Sequence, residues 1–247
     1  MNFTDLKTKL LTLFDAKKLE NRQNDEWGFL NAQDIPIQKI GYATSLTDDI
    51  VTEAAAQSVN LLLTHHDAWD FVYGMKEKCT ALLTRHNIIH AYFHLPLDDA
   101  DFGTASALAQ ALCLQNCEKA NSDGTYSHSV IGETAPTPFA QFTDLTANVL
   151  QEPVKSFQNN PNPIKKICIT TGAGYSTHYI KTALDHHCDT YLTGEYSLYA
   201  QQYAKFNNIN LLVGSHTNTE ILGVQQLAER LTANTNITLT RLPEENY

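Results

Sequence analysis

No C-x-x-C pair occurs in this chain, and its five cysteines (Cys79, Cys113, Cys117, Cys168 and Cys188) are an odd number. That argues against a disulfide framework and against a four-thiolate zinc site, and it points to the reducing cytoplasm. Cys113 and Cys117 stand four apart, a spacing that lets two small residues share a helix face. Runs of Lys and Arg are also missing, and the net charge is -10, which argues against direct contact with nucleic acid, because phosphate binding needs a clustered basic surface. No apolar run reaches transmembrane length. Met1 to Glu20 lacks the basic start, apolar centre and small-residue cleavage site of a signal peptide. The expectation is a soluble, cytoplasmic protein with no membrane partner.

What is present suits a globular chain. Hydrophobic residues make up 43% and charged ones 18%, enough for a sizeable core in one large domain or two compact halves. The opening stretch places Phe3, Leu6, Leu10, Leu13 and Phe14 at helical spacing, which predicts a helix over 1–20. Asn21 to Pro36, polar around Trp27-Gly28-Phe29, reads as an irregular loop. Strands are predicted at 37–45, 59–66 and 87–97, with helices at 47–58, 69–85 (interrupted at Gly74) and 101–117.

Beyond residue 117 the pattern changes. Asn121-Ser122-Asp123-Gly124 is a turn signal, 125–132 a hairpin strand, 134–138 a proline-bearing linker and 139–150 a short helix. Asn159 to Pro163 is a loop. Alternation then resumes, with strands at 165–171, 189–193, 209–214 and 237–242, and helices at 177–187, 196–206 and 219–234. The fold expectation is α/β in two alternating halves, 1–117 and 164–247, with 118–163 inserted between them.

Candidate ligands gather at strand ends, where open α/β sheets hold ligands. The run Val59 to Leu63 stops at His65-His66. Neighbours on a regular strand point to opposite faces, so both histidines serve one ion only if the chain turns there. Alternatively, each holds a different ion of a pair. His216 follows another apolar run and Glu220 lies four residues later, a spacing that can bring both to one side of a helical turn. A helix cap with Thr217 or Asn218 as the first residue is the simpler account, and sequence physics alone favours it. Asp98 follows His94-Leu95-Pro96-Leu97 and is either a bridging carboxylate or a cap, a role for which Asp99 and Asp101 compete. Three imidazoles with two carboxylates suit zinc, iron, manganese or cobalt better than calcium or magnesium.

Five segments carry a resemblance: Leu62 to His66, Tyr92 to Asp98, Ile169 to Gly174, Leu192 to Glu195 and Gly214 to Glu220. In this order and at these separations they resemble the Nif-three-like dinuclear metal-centre proteins, whose bacterial members are often labelled homologues of a type-two GTP cyclohydrolase I. The resemblance implies a two-lobed fold around a central metal cleft, two divalent transition-metal ions and a toroidal homohexamer built as a trimer of dimers. It carries the metal ligands onto His65, His66, Asp98, His216 and Glu220, and it places His94 and Glu195 beside them as outer or substrate-facing groups. The chain departs from the family at Asp67, where many members have glycine, and at Trp27 to Asn31. Gly172-x-Gly174 also resembles a nucleotide-binding turn, but Thr177 stands where that pattern has its third glycine.

Two functions follow. One is a metal-dependent hydrolase acting on a nucleotide-like or phosphoester small molecule, with His94 or Glu195 shuttling a proton. The other is a non-catalytic metal-binding scaffold working through partner contacts.

Overall fold

The computed structural model describes residues 1–20, 26–120 and 128–245. The chain divides into two compact units, residues 1–102 with 224–245, and residues 103–223. The first unit opens with α1 (Phe3–Leu11), which buries Phe3, Leu6 and Leu10, and then turns into α2 (Ala16–Glu20). The single helix expected over 1–20 is therefore two. β1 (Trp27–Leu30) follows, pairing antiparallel with β4 (Ile89–Phe93). The segment expected to be an irregular loop thus supplies a strand. Its aromatics explain the difference, since Trp27 stacks on Phe93 and its indole donates to the Leu19 carbonyl.

β2 (Lys39–Ser45), β3 (Leu61–His66) and β11 (Thr238–Arg241) complete a five-stranded sheet of order β1-β4-β3-β2-β11. The last four pair in parallel, so their carboxyl ends share one edge. All six residues of β3 are buried, which suits the continuous apolar run of a central parallel strand. Leu62, Val59, Ala43 and Leu242 pack against α3 (Asp48–Ala56) and α4 (Met75–His86). Each leucine buried there contributes roughly 1.5–3 kcal/mol. α3 is capped by Thr47, whose side chain accepts from the Ile50 N–H, as its position before two acids predicts. α4 begins only at Met75, after Gly74 at φ 88°, so the helix expected from residue 69 is shorter by a turn and a half. α5 (Leu95–Asp99) closes this stretch and contains Asp98; Gly103 precedes the helix expected over 101–117, so Asp98 caps neither helix.

In the second unit α6 (Thr104–Ala111) ends early, and β5 (Gln115–Ala120) takes up residues expected to be helical. Cys113 adopts a left-handed φ of 58° and Cys117 lies on β5, so the two share no helix face. β6 (Ser129–Thr137) runs through the stretch expected as a linker. α7 (Phe139–Leu150) and β7 (Lys155–Phe157) follow. The turn signal at 121–124 lies outside the described residues.

β8 (Ile164–Thr170), α8 (Thr177–Asp185), β9 (Thr190–Thr193), α9 (Leu198–Phe206) and β10 (Asn210–Val213) restore the alternation, and α10 (His216–Thr232) carries the chain out of this unit. The sheet order is β5-β6-β8-β9-β10-β7, so the stretch 118–163 contributes β6 and β7, and part of β5, to the same sheet as β8–β10. Alternate residues face opposite cores. Ile167, Ile169, Leu192 and Leu212 join one, whereas Cys168, Tyr191, Leu211 and Val213 join the other. Among the described residues, no helix is long and apolar enough to cross a membrane.

Candidate metal centre

In the first unit, parallel pairing delivers the end of β3 and the residue after β4 to one edge. His65 and His66 are 0% and 2% exposed, with ring centroids 4.5 Å apart. His94 follows Phe93, and one ring nitrogen from each of His65, His66 and His94 lies within 4.8 Å of the others. Each ring is oriented through Nδ1. His65 Nδ1 donates to the Phe93 carbonyl at 2.9 Å, His66 Nδ1 meets Ser45 Oγ at 3.0 Å, and His94 Nδ1 donates to Glu26 Oε2 at 2.7 Å. His65 turns its other nitrogen toward Asp98, whose Oδ1 is 3.5 Å away. Outer partners on one ring nitrogen fix the tautomer and direct the second nitrogen to an ion, so this arrangement fits a metal.

In the second unit the loops after β8, β9 and β10 reach one edge for the same reason. They bring Gly172, Glu195 and His216 together, with Glu220 one turn into α10. His216 Nδ1 donates to Glu195 Oε1 at 2.6 Å, and Nε2 lies 3.2 Å from Glu220 Oε2. The first turn of α10 is held by Ser215, whose Oγ accepts from the Asn218 N–H, and by Glu152, which accepts from Ser215 N and Asn218 Nδ2. Neither Thr217 nor Asn218 is the cap, because the helix already starts at His216. A Cβ on Gly172 would stand 1.9 Å from Glu220 Oε1 and 2.9 Å from His216 Nε2, so glycine leaves the space these two donors occupy.

Burial pushes the His216 pKa down, but the Glu220 and Glu195 carboxylates outweigh it and raise the value to about 9. The folded pKa exceeds the unfolded value of about 6.5, so the imidazolium pairing stabilises the metal-free protein fully below pH ~6.5. That stabilisation is lost as pH rises through about 9. The melting temperature of metal-free protein is expected to fall across this window, and to fall less in Glu220→Gln. An equal fall in both would assign the effect to other groups.

Asp67 reaches inward from the strand end. Its Oδ2 pairs with Lys76 at 3.2 Å, and its Oδ1 faces His90 Nδ1 at 4.0 Å. Thr64 Oγ1 donates to the His66 carbonyl, so the His90 Nε2 that meets the same hydroxyl at 2.7 Å is the donor of that bond. His90 is fully buried and its pKa is pushed down to about 3, leaving it neutral with Nδ1 bare. Asp67, Trp69, Asp70 and Tyr92 line a cavity of about 280 Å³ that reaches His66 and His94.

Sequence reading did not find Glu26, Ser45 or Glu152. Each acts through a contact across 21 to 68 residues, and none carries a local signal.

The profile of DUF34/NIF3 (NGG1p interacting factor 3) matches residues 1–246. A Chlamydia pneumoniae protein named "GTP cyclohydrolase 1 type 2 homolog" is 29% identical, covering 100% of this chain and 99% of its own length. A Haemophilus influenzae protein of the same name is 30% identical over 79% of this chain and 80% of its own. Among solved structures, reduced HcgD from Methanocaldococcus jannaschii superposes with a TM-score of 0.83 at 20% identity, covering 99% of this chain and 98% of that one. A Bacillus cereus protein related to NIF3 gives 0.79 at 16%, covering 99% and 97%. With fold, strand-end histidines and a match over nearly its whole length in agreement, the chain belongs to the DUF34/NIF3 family.

Proposed function

We propose that this protein is a dinuclear metal hydrolase of the cytoplasm, assembled as a toroidal homohexamer and acting on a nucleotide-like or phosphoester small molecule. The metal ligands in this reading are His65, His66, Asp98, His216 and Glu220, and the ions are a pair of divalent transition metals such as zinc, iron, manganese or cobalt. The observation that carries it is the common orientation of four imidazoles. His65, His66, His94 and His216 are each held through Nδ1 by a carbonyl, hydroxyl or carboxylate. Outer partners of this kind orient a ligating ring and raise its basicity, which supports the metal reading for His65, His66 and His216 and sets His94 beside them.

When bound, the ions supply Lewis acidity and make water more acidic at neutral pH. The chain's own residues supply position and proton transfer. His94, about a third exposed and paired with Glu26 through Nδ1, is placed to take a proton at Nε2, the resulting imidazolium being stabilised by that carboxylate. Glu195 holds the His216 ring and keeps part of its carboxylate open to solvent. The relatives' name suggests a purine nucleotide as substrate, and the cavity beside His66 and His94 offers room for part of such a molecule.

Elemental analysis of the purified protein, combined with a hydrolysis screen on nucleotides and phosphoesters before and after chelation, tests this. Near two equivalents of transition metal per chain with chelator-sensitive turnover is the expected result. Metal without turnover would favour a scaffold, and no metal after reconstitution would overturn the reading.

A further inference from the structure

His66 meets Ser45 Oγ at 3.0 Å, and Ser45 is the last residue of β2. On the other side of β2, β11 ends at Arg241, so the ladder that covers β2 as far as Tyr42 stops before Thr44 and Ser45. The side chain of Glu244 takes its place. Its Oε2 accepts from the Thr44 N–H at 2.6 Å, and its Oε1 accepts from the Ser45 N–H at 3.0 Å. Both bonds are charge-assisted, and two of them from one carboxylate fix the backbone that aims the Ser45 hydroxyl. A continuous line of contacts therefore runs from the segment after the last strand, through Ser45, to a ring that faces the candidate metal centre.

We infer that Glu244 is a positioning residue for His66, acting through Ser45, so that the segment following β11 tunes metal affinity. This rests on the reading of His66 as a metal ligand. An outer partner of a ligating histidine is typically worth ten- to a hundred-fold in metal affinity, and a residue holding that partner is worth less, about three- to ten-fold. His65 serves as an internal control, because its Nδ1 bond goes to the Phe93 carbonyl and does not involve β2.

The test is a double-mutant cycle of Glu244→Ala and Ser45→Ala, with zinc affinity measured by competition against a chromophoric chelator. Each single variant is expected to weaken zinc binding, and the double variant no more than Ser45→Ala alone. Glu244→Gln, which keeps one acceptor, is expected to fall between parent and alanine. Parental affinity in Glu244→Ala, or effects of the two substitutions that multiply, would overturn the inference.

Should Glu244→Ala not fold, Glu244→Gln carries the same comparison. Nitrogen NMR of the histidine rings in metal-free protein reads the contact directly. The His66 ring nitrogens are expected to shift in the Glu244 variants while those of His65 stay. Unmoved His66 signals would overturn the proposal. A parent that binds no zinc would instead sink the metal reading, and leave the His66 shifts to decide whether Glu244 orients the ring.

Discussion

Glu220→Ala protein is expected to bind transition metal at least a hundred-fold more weakly than the parent. Loss of an outer partner already costs ten- to a hundred-fold, and in the proposed reading Glu220 would supply both a donor oxygen and negative charge for the paired cations. Its carboxylate is 4% exposed and faces His216 Nε2 at 3.2 Å, so no solvent-borne anion replaces it easily. The same substitution removes a raising influence on the His216 pKa, which then falls from about 9. In metal-free protein the cost of the lost pair is about 1–3 kcal/mol, because His216 keeps Glu195 and can neutralise itself by releasing its proton. Elemental analysis and thermal denaturation of parent and variant, each with and without added zinc, separate the two effects. Full metal occupancy in the variant would remove Glu220 from the ligand set.

The element pattern was legible where local physics decides it. The β3 run from Leu61 to Leu63 and the capped α3 are set by apolar continuity and by Thr47 with its two acids, and α7 falls where its apolar spacing puts it. Misread segments are those where distant contacts override local preference. β1 exists because Trp27 finds Phe93, and residues 115–117 become strand because β6 offers them a partner. At the site, strand ends were readable from sequence, and so were His65, His66 and His216. The outer contacts were not. A glutamate that orients a histidine 68 residues away looks, in sequence, like any surface acid. The helix-cap account of Glu220 fails for a related reason: Ser215 and Glu152 already satisfy the first turn of α10, which leaves Glu220 to face His216.

Gly172→Ala is the substitution with the largest expected effect among the small ones. Gly172 sits at φ 59°, a left-handed conformation that costs an alanine on the order of 1 kcal/mol. Strain of that size alone would lower the melting temperature by a few degrees. The side chain adds a second, larger effect, because its Cβ would stand 1.9 Å from Glu220 Oε1 and must push that carboxylate away. Displacing a ligand oxygen by an ångström or more breaks its coordination, so zinc affinity is expected to fall by roughly ten- to a hundred-fold. Gly74→Ala separates the two causes. Gly74 has a φ of 88° but no atom within 4 Å of an added Cβ, so alanine there meets the backbone strain without a clash. The expected pattern is destabilisation in both variants and loss of metal only in Gly172→Ala. Equal metal binding in the two would mean that Glu220 can retreat without consequence, and that the space beside Gly172 is not reserved for an ion.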